Sequence, residues 1–254
     1  MTDRVKGKRG LIYGGGTGIG FACAEALARE GSAVFISGRR EAVLKDSAAR
    51  LAKLGPAGFA AGDATSVDDV QRVTAAAAAF MGGLDTIVVS SGTGGRTPIF
   101  DTEPEEFQRI MDQNLRPVFL AVRYGVSHLL EAGAGSIIII SSMYGLVGQR
   151  ERVAYCGAKA GVNGMVRSMA LDLAERNVRV NAICPGFVET PLAIEVAKQE
   201  ADPEAAMRAK RLMHPIPRGG TPAEMGELAV YLASDLSAFT TGQAIAADGG
   251  YSAR

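Results

Sequence analysis

The chain has no tryptophan, only two histidines and only three cysteines in 254 residues. Cys23, Cys156 and Cys184 are odd in number and show no metal-ligand spacing, so neither a disulfide scaffold nor a metal site is expected. Isolated thiols point to a reducing, cytoplasmic compartment. Cys156 has no histidine near it in sequence and reads as a small packing residue. A charge surplus is also lacking: 27 basic residues face 27 acidic ones. No global field draws the chain to nucleic acid or to a membrane surface, and neither partner is expected. The longest apolar runs, such as Ile137 to Ile140, are strand-length and far below a membrane span. The start, Met1 to Arg9, is charged and lacks the apolar stretch of a signal peptide.

What the chain does have is alternation. Strand-like runs at 10–13, 33–37, 57–61, 85–90, 136–141, 178–184 and 243–247 are separated by helical patterns near 18–30, 41–54, 67–81, 104–131, 153–176 and 222–234. Turn signals such as Leu54-Gly55-Pro56 and Gly82-Gly83 close the helices. This order predicts right-handed βαβ units in an α/β fold, a Rossmann-like doubly wound parallel sheet of about seven strands with helices on both faces. No linker divides it, so a single domain over 1–254 is expected. Residues 186–221 break the rhythm, punctuated by Pro191, Pro203, Pro215 and Pro217. So long an excursion in a compact domain is expected to be functional, and a substrate lid is placed at about 187–214.

Two local patterns carry chemistry. Gly14-Gly15-Gly16-Thr17-Gly18-Ile19-Gly20 follows the first strand and opens the first helix. Glycines there allow a tight turn, and a helix N-terminus offers backbone N–H donors to a pyrophosphate. Tyr155 and Lys159 stand four residues apart, on one face of a helix. An ammonium beside a phenol would favour the phenolate and make the tyrosine a usable acid–base group. With a tyrosine in that role, His128 and His214 are not needed for catalysis.

In this order and at these spacings, the motifs resemble those of the short-chain dehydrogenase/reductase family in its single-domain form. The resemblance runs nearly end to end. It covers Gly14, Gly18 and Gly20, Asp63, Asn114, Ser142, Tyr155 and Lys159, Pro185-Gly186 with Thr190, and Asp248-Gly249-Gly250. In two places the chain departs from the family. Val89-Ser90-Ser91-Gly92 replaces the usual Asn-Asn-Ala-Gly, and Tyr13 replaces a threonine. The two places touch in the family, so the paired change is expected to affect packing more than catalysis.

The resemblance implies a catalytic set of Asn114, Ser142, Tyr155 and Lys159. Ser142 would hold the substrate oxygen and Tyr155 would give it a proton or remove one. Lys159 would lower the tyrosine pKa and bind the nicotinamide ribose, and Asn114 would hold a water linking the lysine to solvent. Cofactor contacts are implied at Gly14, Gly16, Thr17, Gly18, Ile19 and Gly20, at Asp63 and Ala64 beside the adenine, and at Ser91 and Gly92. Tyr155, Lys159, Pro185, Gly186, Val188 and Thr190 complete them, Thr190 reading also as a plain helix cap before Pro191. The helices at 104–131 and 153–176 are implied to build a homotetramer or homodimer; the small residues Gly157, Ala160, Gly161 and Gly164 read equally as intrachain packing.

The end of the second strand decides the cofactor. Phe35-Ile36-Ser37-Gly38-Arg39-Arg40 has no carboxylate before Glu41. A ribose 2′-hydroxyl is usually met by an acidic residue, whereas a 2′-phosphate pairs with a guanidinium. NADP(H) is therefore expected over NAD(H), with Arg39 as primary contact and Ser37 and Arg40 in support. The expected activity interconverts a ketone or aldehyde and a secondary alcohol, as a 3-oxoacyl reductase or a general ketoreductase does. The alternatives are a silent cofactor-binding regulator and an NAD-dependent alcohol dehydrogenase. The small-molecule substrate is expected against Gly94, Arg96, Met143, Tyr144, Gln149 and Arg152. Arg150, Arg152, Lys210 and Arg211 are candidates for an anionic tail.

Overall fold

The computed structural model describes residues 3–253. Seven strands form one parallel sheet: β1 (Arg9–Tyr13), β2 (Ala33–Gly38), β3 (Ala57–Ala61), β4 (Thr86–Val89), β5 (Gly135–Ile140), β6 (Val178–Pro185) and β7 (Ala244–Ala247). Eight α-helices are described: α1 (Gly18–Arg29), α2 (Glu41–Leu51), α3 (Val67–Met81), α4 (Pro104–Glu131), α5 (Val153–Leu173), α6 (Pro191–Ala197), α7 (Pro203–Leu212) and α8 (Pro222–Ala233). The spatial order β3-β2-β1-β4-β5-β6-β7 reverses direction between β1 and β4. A cleft opens at such a reversal, beyond the carboxyl ends of the strands.

Both faces of the sheet are buried, so the strands read as near-continuous apolar runs. Register sorts their side chains. Leu11, Phe35, Ile87 and Ile137 share a core with α3, α4 and α5, while Ile12, Ile36, Val88 and Ile138 share the other with α1, α2 and α8. Each such side chain, fully buried, contributes about 1.5–3 kcal/mol of transfer free energy. On the second face α1 and α8 approach until a Cβ at Gly226 would lie 2.6 Å from the Ala22 carbonyl oxygen. A side chain at 226 would push the two helices apart.

Helix starts follow local chemistry. Ser66 accepts from the Asp69 N–H ahead of α3, and Thr221 with Glu224 forms a reciprocal capping box at α8. Expected boundaries shift slightly: 85–90 contracts to Thr86–Val89, and 153–176 ends at Leu173 before a separate 3₁₀ turn. The excursion after β6 holds the short helices α6 and α7, both led by proline. Its base is tied by a bridge between Val188 and Gly220 and by the two-pronged Arg211–Glu189 pair at 2.8 and 2.9 Å.

The departures at Tyr13 and Ser90 meet through the backbone, where the Ser90 N–H donates to the Tyr13 carbonyl at 2.8 Å. The phenol of Tyr13 crosses into the α3 layer and lies 2.6 Å from Thr74 Oγ1. Burial pushes it up to about 12, against the opposing effect of that hydrogen bond. On α5, a Cβ at Gly157 would sit 3.3 Å from Met111 Cε and one at Gly161 3.1 Å from Leu115 Cδ2, so these glycines admit α4 of the same chain. Gly164 meets nothing within 4 Å. Among the described residues no helix is long and apolar enough to cross a membrane, and no cluster could hold a metal.

Candidate active site

A cleft of about 940 Å³ lies at the carboxyl ends of the central strands. Its first wall is the turn from β1 to α1. The N–H groups of Gly14 and Gly15 both donate to the Ser37 carbonyl, at 2.8 and 3.0 Å, folding the turn against β2. Gly14 has φ +76°, and a Cβ there would lie 2.8 Å from the Ser90 carbonyl carbon, so only glycine fits. Gly20 sits behind the turn, where a Cβ would run into the Gly14 carbonyl. Thr17 makes no side-chain cap, which leaves the leading N–H groups of α1 available to an anion. Gly14, Gly16, Thr17, Gly18 and Ile19 all line the cleft.

Gly38, Arg39 and Arg40 form the next wall. Both arginines are exposed. Neither guanidinium has a hydrogen-bond or ion-pair partner among the described residues. Ser37 differs from expectation: it is buried and off the cleft wall, and its carbonyl serves the glycine turn instead. Asp63 and Ala64 line the cleft beside Gly62 and Thr65. One oxygen of Asp63 is engaged by the Thr65 N–H and hydroxyl, at 2.9 and 2.8 Å. The helix cap falls to Ser66 and not to Asp63.

Asn114, Ser142, Tyr155 and Lys159 converge at the far end, with Ser91, Gly92 and Gly94 opposite. Asn114 is wholly buried within α4. Its amide donates to the Thr93 and Ile110 carbonyls at 3.0 and 2.9 Å, and its Oδ1 accepts no hydrogen bond. The Lys159 ammonium donates to the Ile140 carbonyl at 3.1 Å, and burial pushes it down to about 8. Burial raises the Tyr155 phenol, opposed first by a hydrogen bond with Ser142 and then by the charge of Arg152. The expected lowering of the phenol by Lys159 is therefore not what this geometry gives. The ammonium lies 5.7 Å from the ring centroid, and burial, opposed by Ser142 and Arg152, sets the direction of the phenol. Pro185, Gly186, Val188 and Thr190 close this end, Thr190 also capping α6 through the Ala193 N–H at 3.2 Å.

The expected substrate residues fare differently. None of Arg96, Met143, Tyr144, Gln149 and Arg152 lines the main cleft. Arg96 is paired with Glu151 at 2.6 Å, and Arg152 donates to the Gly95 carbonyl at 3.0 Å. Met143 is buried. Tyr144 stands edge-on to Tyr155, with centroids 6.4 Å apart, and edge-on to Tyr251 at 6.2 Å. The Tyr251 hydroxyl donates to Gln149 Oε1 at 3.1 Å. Arg211 is engaged by Glu189. Val43, Leu44 and Leu192 line the cleft without having been singled out in the sequence. Val43 and Leu44 blend into the apolar stripe of α2, whereas the exposed Leu192 stands out only once α6 is placed.

A family model described as enoyl-(acyl carrier protein) reductase matches residues 14–252. The chain is 37% identical to 2-(S)-hydroxypropyl-CoM dehydrogenase 3 of Xanthobacter autotrophicus, with both chains covered in full. It is 35% identical to the NADP-dependent (R)-specific alcohol dehydrogenase of Lentilactobacillus kefiri, again over the whole of both. A crystal structure described as a short-chain alcohol dehydrogenase from Sinorhizobium meliloti 1021 superposes with a TM-score of 0.91. That structure is 32% identical and covers 100% of this chain and 99% of its own.

Proposed function

Because this chain belongs to the short-chain dehydrogenase/reductase family, we propose that it interconverts a ketone or aldehyde and a secondary alcohol with NADP(H), using Tyr155 as the acid–base group. The observation that carries this is the convergence of Ser142, Tyr155 and Lys159 on a cleft that begins at an uncapped helix N-terminus. The residues present fit a dinucleotide. The glycine turn would receive the pyrophosphate, Asp63 and Ala64 the adenine, and Arg39 with Arg40 the 2′-phosphate. Two unpartnered cations and no carboxylate at the end of β2 support NADP(H) over NAD(H). The NADP dependence named for the Lentilactobacillus relative accords with that choice.

When bound, the nicotinamide supplies or accepts the hydride. The protein supplies position and the proton. Ser142 holds the substrate oxygen through its hydroxyl. Burial raises the Tyr155 phenol and so favours its protonated form, which suits a proton donor in carbonyl reduction. In the reverse direction the same oxygen takes the proton from the alcohol. Lys159, fixed on the Ile140 carbonyl, has two further N–H donors for the ribose hydroxyls and the proton path. The buried Asn114 oxygen supplies an acceptor on that path.

A cytoplasmic homo-oligomer is part of the same proposal. Phe107 and Phe119 on α4 and Leu171 on α5 are exposed apolar side chains suited to a subunit contact, in a homotetramer or a homodimer. Initial rates with NADPH and NADH against keto-esters, acyl thioesters, sugars and cyclic ketones test the function. Turnover at least about tenfold more efficient with NADPH is expected. Equal efficiency with NADH would overturn the cofactor choice, and tight NADPH binding without turnover on any substrate would favour a regulator.

A further inference from the structure

His214 is buried and lies off the cleft wall, yet its ring joins two segments that shape the cleft. Nε2 receives the Phe187 backbone N–H at 3.2 Å, and Nδ1 lies 2.6 Å from the Asp248 carbonyl oxygen. An amide N–H can only donate and a carbonyl can only accept. The imidazole must therefore be neutral, with its proton on Nδ1. The two partners are distant in sequence and adjacent in space. Phe187 stands between Gly186 and Val188, which line the cleft, while Asp248 opens the turn after β7.

The surroundings fit a latch. The Asp248 carboxylate is taken up by its own turn, accepting from the Gly250 N–H and from the Ser252 N–H and hydroxyl. Its backbone carbonyl is left to the imidazole. Gly186 packs beneath the ring so closely that a Cβ would lie 2.7 Å from His214 Cε1 and 2.8 Å from Asp248 Cα. The ring also packs against Tyr251, centroids 5.6 Å apart. The excursion thus turns back, at His214, to fasten the point where it began.

We propose that His214 is a positioning residue that pins the Gly186–Phe187 floor of the cleft to the Asp248 turn, so that dinucleotide affinity depends on its donor–acceptor pair. It rests on reading the cleft as a dinucleotide site. The test compares His214→Leu, which removes both hydrogen bonds, with His214→Gln, whose amide offers one donor and one acceptor. NADPH binding is read by fluorescence titration, and amide exchange over 186–190 is read on the ligand-free protein. His214→Leu should weaken binding about tenfold or more and speed exchange at the Phe187 amide, while turnover at saturating cofactor stays within about threefold. His214→Gln should recover most of the affinity. Wild-type affinity in the Leu variant, or a Gln variant as weak as Leu, would overturn the proposal. Should the Leu variant fail to fold, an unprotected Phe187 amide in the wild type would overturn it equally. Failure of the wild type to bind either dinucleotide would instead sink the reading of the cleft, while the exchange data still report on the latch.

Discussion

Asn114 and Lys159 face one small space beside Gly92: a Cβ at residue 92 would lie 2.8 Å from Asn114 Oδ1 and 3.5 Å from Lys159 Nζ. The oxygen is a buried acceptor with no partner, and the ammonium has donors to spare. A path for protons between them needs that space kept clear. Gly92→Ala is expected to lower turnover about tenfold with NADPH affinity within a few-fold, though it changes no titrating group. Asn114→Ala should do the same by removing the acceptor. Steady-state rates beside fluorescence binding check both, and undiminished turnover in Gly92→Ala would remove the space from the mechanism.

Tyr155→Phe deletes one oxygen and leaves the ring that faces Tyr144. Turnover is expected to fall by about 10²–10⁴-fold, the contribution of a positioned acid–base group. NADPH affinity should stay within a few-fold, since the phenol acts on substrate. A variant keeping more than about a tenth of wild-type activity would show the assignment to be wrong.

Arg39→Ala should raise the KM for NADPH at least about tenfold and leave that for NADH nearly unchanged, as a charge-assisted contact contributes about 1.5–3 kcal/mol. Equal changes for both cofactors would mean that the guanidinium does not meet the 2′-phosphate.

Stability should depend on pH through Lys159. Burial lowers its folded-state value to about 8 from 10.5, so between those limits the unfolded chain binds more protons. Stability attributable to this group is therefore at its lowest below about 8 and recovers as the pH rises toward 10.5. Denaturant midpoints of wild type and Lys159→Met, at pH 7.5 and at pH 10, isolate the group. The wild type should gain on the variant over that interval, by an amount of order 3 kcal/mol in full. A constant difference would show that the ammonium is not desolvated as described.

The excursion at 188–214 is expected to close over the reaction end, because Thr190 and Leu192 line the cleft while Ile194 and Val196 remain exposed on α6. Hydrogen exchange on this segment should slow when NADPH and a substrate analogue are both present. Full protection without ligands, unchanged by them, would identify a rigid flank instead of a lid.

The sequence made the architecture legible because its periodicities were long and its punctuation sharp. Leu54-Gly55-Pro56 after α2 and Gly82-Gly83 after α3 mark the ends of those helices in the sequence itself. The glycine turn was legible because its context, strand before and helix after, is local. Ser37 was not. In a strand buried on both faces, alternation does not tell which side chain reaches a ligand, and Ser37 contributes its carbonyl. The places of Arg96, Gln149 and Arg152 off the cleft wall are hidden from the sequence for another reason. Each is engaged by a residue of a different segment, Glu151, Tyr251 and Gly95, and loop-to-loop pairing leaves no periodic trace. The partners of His214 are 27 and 34 residues away, equally out of reach of spacing.

The contact of α1 with α8 has a consequence for how the molecule is made. Eight of the twelve residues of α1 are buried, and Gly226, two hundred positions along the chain, lies against its Ala22 carbonyl. Until α8 arrives, the part of α1 around Ala22 and Ala26 lacks its helical neighbour, although the sheet and α2 cover the rest. Closing so long a loop is entropically costly and kinetically slow. A nascent chain or an N-terminal fragment would therefore expose Ala22 and Ala26 to other chains, and aggregation is the hazard. High yields on expression should favour low temperature and abundant chaperones, and a Gly226 substitution should show itself first as insoluble protein.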